Sequence, residues 1–342
     1  MTFFVFTLNT MKILIIRFSS IGDLTRALSI PARLVEHYGK DNVQIHFLTR
    51  EDFSQLLKNN PSIHQVWTLN RKKGLTEIFK IAKELNKENY DLIYDAHNNL
   101  RSFIFRCLVA SKKNIVKPMD RWKRFLLINF KINKFQKPFS GQRDLLKPLE
   151  KIGIPFLLPK PPQLFFDAQT IQKIETLLNE KKINKNEYFV FVPSAAYPLK
   201  RWPIAHWQKL ISMSSNTPVV VLAGPTDQFT QVLNSFTNII NLTGQTNLIE
   251  SAAIIHFAKA VVANDTGLLH FSEQLGKPTI ALMGPAPFGF PSRQTTCILE
   301  IELKCRPCSK HGQGPCTNTQ FQKCMIDITP EQVHQNLMEI ST

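Results

Sequence analysis

The chain has 342 residues, enough for two domains of ordinary size, each with its own core. A hydrophobic content of 43% and a charged content of 20% are those of a soluble globular protein and exclude a disordered one, and no apolar run reaches the roughly 18 residues a membrane-spanning helix needs. The formal charge of +16 leaves nucleic acid, an anionic membrane surface or a phosphorylated substrate as candidate partners.

The first ten residues lack a basic segment and a small-residue cleavage site, so they read as an extension ahead of Met11 rather than a signal peptide. Residues 12–16 form a continuous apolar run, as a parallel strand buried on both faces requires. It ends in the polar loop Arg17-Phe18-Ser19-Ser20-Ile21-Gly22-Asp23, and 24–37 reads as a helix. Strands follow at 43–48, 65–69 and 91–95, with helical stretches at 54–59 and 76–86 and another helix after Ser102. Strands alternating with helices imply βαβ units and a parallel sheet. From 131 to 162 the rhythm is lost and prolines crowd, which marks a linker between domains.

The second half restarts with a helix at 170–180 and a strand at 188–192, which runs into a loop containing Lys200-Arg201-Trp202-Pro203. A helix at 204–213, strands at 218–223 and 239–242, and a helix at 248–258 lead to the apolar run 260–263. That run opens into Asn264-Asp265-Thr266-Gly267-Leu268-Leu269-His270, a strand, tight loop and helix start. Asp265 or Thr266 caps the helix, and its free N–H groups and positive dipole end make an anion site at the carboxyl end of a strand. A strand at 279–283 and a last helix opened by Thr329-Pro330-Glu331 complete the chain. The two halves read as two doubly wound Rossmann-like α/β domains facing across a cleft, 11–160 and 161–325, with a tail helix in 326–342.

Basic clusters stand at 71–73, 112–113 and 121–124, although a solvated lysine-rich surface accounts for most of the excess charge. Of six cysteines, Cys305, Cys308, Cys316 and Cys324 gather in segment 305–324. Such a group suits either a structural zinc held by four thiolates, with His311 as an alternative ligand, or free thiols.

In this order and spacing, the stretch 11–23, Lys200-Arg201-Trp202-Pro203, Thr243-Gly244 and the 264–270 loop with Gly276-Lys277-Pro278 resemble the glycosyltransferase family 9 heptosyltransferases. The resemblance implies the two-domain GT-B fold and metal-independent, inverting transfer of heptose from ADP-heptose to the lipopolysaccharide inner core, a Kdo-lipid A acceptor. No Asp-x-Asp pair stands at a strand end. Asp23 matches the family's catalytic aspartate, the general base; on residue physics alone it serves equally as a helix N-cap. Lys200 matches the phosphate-contacting lysine, with Thr266 and Gly267 offering N–H groups to the same phosphates. Asp265 and His270 belong to the matched motif, with helix capping and simple packing as their alternatives. Asp227 stands where some relatives contact the donor's ribose or base. Ala195-Ala196 depart from relatives that carry hydroxyls there.

An anionic acceptor implies basic contacts, for which Arg17, Arg101, Arg71 and Arg121 are the candidates; for Arg101, Arg71 and Arg121 a solvated surface charge is the alternative. The resemblance also implies a cytoplasmic enzyme working peripherally at the anionic inner membrane surface, with no nucleic-acid partner, and a tail helix packing back on the first domain. Two other classes remain: a GT-B transferase or epimerase acting on another nucleotide sugar, and a basic zinc-bearing nucleic-acid binder.

Overall fold

The computed structural model describes residues 10–341. Contacts divide the chain into two units, one built from the chain up to Met119 with Gln142–Gln163, the other from Asp120–Gly141 and Leu164 onward.

The first unit runs β1 (Met11–Ile16), α1 (Ile21–Ala27), α2 (Ser29–Tyr38), β2 (Val43–Arg50), β3 (Gln65–Leu69), α3 (Gly74–Asn86), β4 (Tyr90–Asp95), α4 (Leu100–Leu108) and β5 (Ser111–Val116). Its five strands are all parallel, in the order β3-β2-β1-β4-β5. Ile13 to Ile16 of β1 are fully buried, because helices cover both faces of a sheet with crossover connections. One face carries a core of Leu14, Ile16, Leu48, Ile93 and Phe105 with Ile78 and Ile81 of α3.

The helix expected over 24–37 is instead two, α1 and α2. Pro31 has no amide hydrogen to give the carbonyl four residues earlier, so the ladder is interrupted and a new helix starts at Ser29. The stretch expected to be helical at 54–59 is a 3-10 turn, Glu51–Leu56. Strand β5 was not expected: it is an edge strand whose Lys112, Lys113 and Asn114 are exposed, so it lacks the apolar run of its neighbours.

Next in the chain, α5 (Arg121–Phe130) packs within the second unit, and α6 (Arg143–Leu146) returns to the first. Residues 120–141 therefore belong to the second unit, not to the end of the first domain as their position suggests. The rest of the second unit is α7 (Ala168–Glu180), β6 (Phe189–Val192), α8 (Ile204–Met213), β7 (Val219–Val221), β8 (Ile239–Asn241), α9 (Leu248–Phe257), β9 (Ala260–Asn264), α10 (Gly267–Leu275), β10 (Thr279–Met283), β11 (Thr296–Glu300), α11 (Lys323–Ile326) and α12 (Pro330–Ile340). Six parallel strands lie in the order β11-β10-β9-β6-β7-β8. Helix α12 opens with Thr329 capping the Gln332 amide and Pro330 in its first turn, as its sequence predicts. Its Val333 and Leu337 are buried in the second unit's core with Trp207, Leu210 and Ile211 of α8. Its apolar stripe lies against α8 and the sheet of the second unit.

Candidate active site

In the first unit the chain winds from β1 outward through β2 and β3, then crosses back to add β4 beside β1. At such a reversal the loops leaving two adjacent strands diverge and open a crevice at their carboxyl ends. Ile16 of β1 pairs with Asp95 of β4, so the loops starting at Arg17 and at Ala96 emerge side by side. Ser20 is the N-cap of α1, which makes Asp23 its third residue rather than its cap. The Asp23 carboxylate accepts from the Ser20 amide at 3.3 Å and the Ser20 hydroxyl at 3.2 Å. Two guanidiniums flank it: Arg17 at 2.5 Å on one oxygen, and Arg26 from the next turn of α1 on the other.

Arg17 is buried and also donates to the Ala96 carbonyl, tying the two loops together. Burial lowers its pKa, and the charge of Asp23 opposes that. The Asp23 side chain stays 34% exposed, enough for a solute to reach it. On the neighbouring loop, buried Asp95 accepts from the His97 and Asn98 amides and from Arg106. His97, which sequence reasoning passed over, packs edge-on against Phe18. Burial, with the Arg17 charge, pushes its imidazole down to about 4. Its position immediately after β4 was the available signal. Arg101 is exposed in the first turn of α4 and bears electrostatically on His97; Arg71 is exposed in the turn after β3.

The second unit repeats the arrangement. Strands β6 and β9 adjoin where the winding reverses, so the loops beginning at Pro193 and at Asp265 share one end of the sheet. Asn264, buried at the end of β9, joins them: its amide donates to the Pro193 carbonyl at 2.7 Å and its carbonyl accepts from the Trp202 amide at 3.1 Å. Lys200 meets Asp265 in an ion pair at 2.5 Å, with the side chains only 14% and 9% exposed. Thr266 is the N-cap of α10 and Gly267 its first residue, which leaves the first-turn N–H groups at the Lys200 side of the loop. His270 is buried one turn on, its Nδ1 at 3.3 Å from Glu273. Asp227 is held by Arg201 at 3.1 Å and by the Gly224 amide at 3.0 Å, so both of its oxygens are engaged within the protein. Arg121 lies exposed at the head of α5, in this second unit.

The family model for glycosyltransferase family 9 (heptosyltransferase) matches residues 78–315. The chain belongs to glycosyltransferase family 9. It is an enzyme of the heptosyltransferase family. Lipooligosaccharide heptosyltransferase 2 of Haemophilus influenzae is 30% identical, over 96% of this chain and 99% of that protein. A glycosyltransferase family 9 structure from Veillonella parvula superposes with a TM-score of 0.78 at 18% identity, covering 97% of each chain. The structure of Escherichia coli ADP-heptose LPS heptosyltransferase II gives 0.70 at 22% identity, over 97% of this chain and 98% of that one. These superpositions identify the fold as GT-B.

In this family 9 enzyme the cysteine-rich segment reaches the Lys200 loop. Gly312, at φ +83°, lies so close to the lysine stem that a Cβ there would stand 2.8 Å from Lys200 Cγ. His311 stacks against Tyr197, and Gln322 donates to the Pro198 carbonyl at 2.8 Å. Gly289, at φ +93°, approaches from a separate loop, its Cβ position in ordinary contact with Asp265 at 3.4 Å and His270 at 4.0 Å. Sequence reasoning missed Gly312, Gln322 and Gly289, and weighed His311 only as a metal ligand. The four cysteines are free and within electrostatic range of one another. Among the described residues no group of three or more His, Cys, Asp or Glu side chains is placed to hold a metal ion. Burial raises the Cys308 thiol and pushes Cys324 to about 11, which leaves both poor nucleophiles.

Proposed function

We propose that this heptosyltransferase moves heptose from ADP-heptose to the inner core of lipopolysaccharide, on Kdo-bearing lipid A, at the cytoplasmic face of the membrane. Asp23 takes the proton of the acceptor hydroxyl while that oxygen bonds to the anomeric carbon. The bond from that carbon to the donor phosphate breaks, its electron pair leaves with ADP, and the anomeric configuration inverts. No covalent enzyme intermediate and no metal take part. Arg17 and Arg26 position the carboxylate, each holding one of its oxygens. An ammonium has three donors, of which Asp265 takes one; Lys200 directs the rest, with the α10 N–H groups, at the charge that grows on the leaving diphosphate.

The observation that carries this reading is Asp23, a carboxylate clamped by two guanidiniums at the strand-order reversal and still open to solute. The names of the similar proteins support the donor and acceptor classes. The test incubates the purified chain with ADP-heptose and a heptose-deficient lipopolysaccharide, and determines the product's anomeric configuration by NMR. We expect one added heptose of inverted configuration, and thermal stabilisation by ADP-sugar but not by GDP- or UDP-sugars. A retained configuration, or stabilisation by a different base alone, overturns the reading.

A further inference from the structure

Helix α5 and the residues after it carry an exposed basic and aromatic surface. From Arg121 to Lys137 the sequence holds six basic residues and no acidic one. Trp122 is 68% exposed, Phe130 60%, Ile132 47% and Phe125 46%. The rings are contiguous: Trp122 stacks on Phe125 at 5.5 Å, and Phe125 meets Phe130 edge-on at 5.7 Å. Arg121, Lys123, Lys131, Lys134 and Lys137 are exposed among them, and Lys123 also pairs with Asp120 at 3.0 Å. The opposite side fixes the helix to the second unit: Leu127 is buried and the Arg124 guanidinium lies 4.5 Å over the Phe288 ring. The aromatic side is therefore presented to solvent by an anchored element. Exposing a large apolar cluster costs free energy unless something covers it.

From this juxtaposition of exposed, contiguous aromatic rings with interleaved cations we propose that α5 is an interfacial helix that docks the enzyme on a bilayer of anionic lipid. Trp and Phe enter the headgroup boundary while Lys and Arg meet lipid phosphates, the chemistry by which amphipathic basic helices lie on membranes. Two features favour lipid over single-stranded nucleic acid. Trp122 and Phe125 already use one face of each ring on the other, and Phe130 and Ile132 add apolar surface with nothing to offer a base edge. The inference rests on the proposed function in one respect, that the acceptor is carried by a lipid.

The test is co-sedimentation of the full chain with sucrose-loaded phosphatidylcholine vesicles, with and without phosphatidylglycerol, alongside transfer to a soluble deacylated acceptor. We expect binding that needs phosphatidylglycerol and weakens with salt, and at least a tenfold loss of partitioning in Trp122→Ser/Phe125→Ser. The same variant keeps wild-type turnover on the soluble acceptor, which also shows that it folds. As a second reading, wild-type tryptophan emission shifts to the blue on these vesicles, and Trp122→Phe abolishes the shift while still binding. Equal binding to neutral vesicles, undiminished binding by the double variant, or competition by single-stranded RNA for the same surface overturns the proposal. If no acceptor is ever glycosylated, the proposed reaction fails while the vesicle result stands on its own.

Discussion

Replacing Gly312 with alanine tests whether the cysteine-rich segment sets the position of Lys200. A Cβ at 312 would meet Lys200 Cγ at 2.8 Å, Cε at 3.3 Å and Cδ at 3.4 Å. Comfortable carbon contacts lie at about 3.5–4.0 Å, so the lysine stem must retreat by roughly 0.5–1 Å. Misplacement of a binding group by about 1 Å costs up to ~10²-fold in rate. The expected loss in kcat/KM for ADP-heptose is therefore roughly 10- to 100-fold. Alanine at φ +83° also pays backbone strain of roughly 1–2 kcal/mol. A stiffer unfolded chain offsets about 0.4–1 kcal/mol of that.

Gly314 separates the two effects, because it has φ +87° but nothing within 4 Å of its Cβ position. Both variants should melt about 2–4 °C below the wild type. Only Gly312→Ala should lose donor use, read from initial rates against ADP-heptose concentration and from calorimetry of the same samples. Equal kinetics in the two variants, or a wild-type kcat/KM in Gly312→Ala, would show that the segment does not position the lysine.

Asp23→Asn should lower heptose transfer by about 10²–10⁴-fold while ADP still stabilises the protein in a thermal-shift assay, since the amide keeps the shape but accepts no proton. Lys200→Ala leaves Asp265 nearly buried without its cation, and the loss approaches the ~3–5 kcal/mol typical of breaking a buried pair. Lys200→Ala/Asp265→Ala should recover part of that loss in urea denaturation, though not donor binding. His97, held down at about 4 against an ordinary 6.5, stays neutral in the folded state while the unfolded chain takes up a proton. Stability should therefore be level above about 6.5 and fall as pH drops toward 4, and His97→Asn should flatten that slope in denaturation midpoints measured across the range.

The strands that frame both half-sites were readable because they are buried on both faces. β1, β4, β6 and β9 present runs of aliphatic or aromatic residues whatever surrounds them. β5 and β11 escaped because Lys112, Lys113 and Glu300 face solvent and cut short the apolar run, whereas the edge strands β3 and β8 keep enough apolar residues to be read. Asp23, Lys200 and the 264–270 loop were legible as short motifs at strand ends. Their partners were harder. Arg26 grips Asp23 from one helical turn away, a relation that follows only once Ser20 is known to start α1. Gly312 and Gly289 reach the lysine and Asp265 from distant loops, and no local pattern encodes such approaches. The placement of 120–141 in the second unit depends on contacts such as Arg124 over Phe288 and Gly141 to the Phe290 carbonyl, which composition does not reveal.

The packing of Gly312 against Lys200 bears on when the enzyme becomes competent. The strands of the second sheet and the loop bearing the lysine all precede the cysteine-rich segment in the chain. During synthesis that sheet can form while the segment is still inside the ribosome, leaving the lysine without the surface that fixes its stem. The surroundings of Lys200, the proposed diphosphate contact, are thus completed last. Under the proposed mechanism, donor binding therefore waits for the same tail whose Met325, Ile328, Val333 and Leu337 complete the second unit's core.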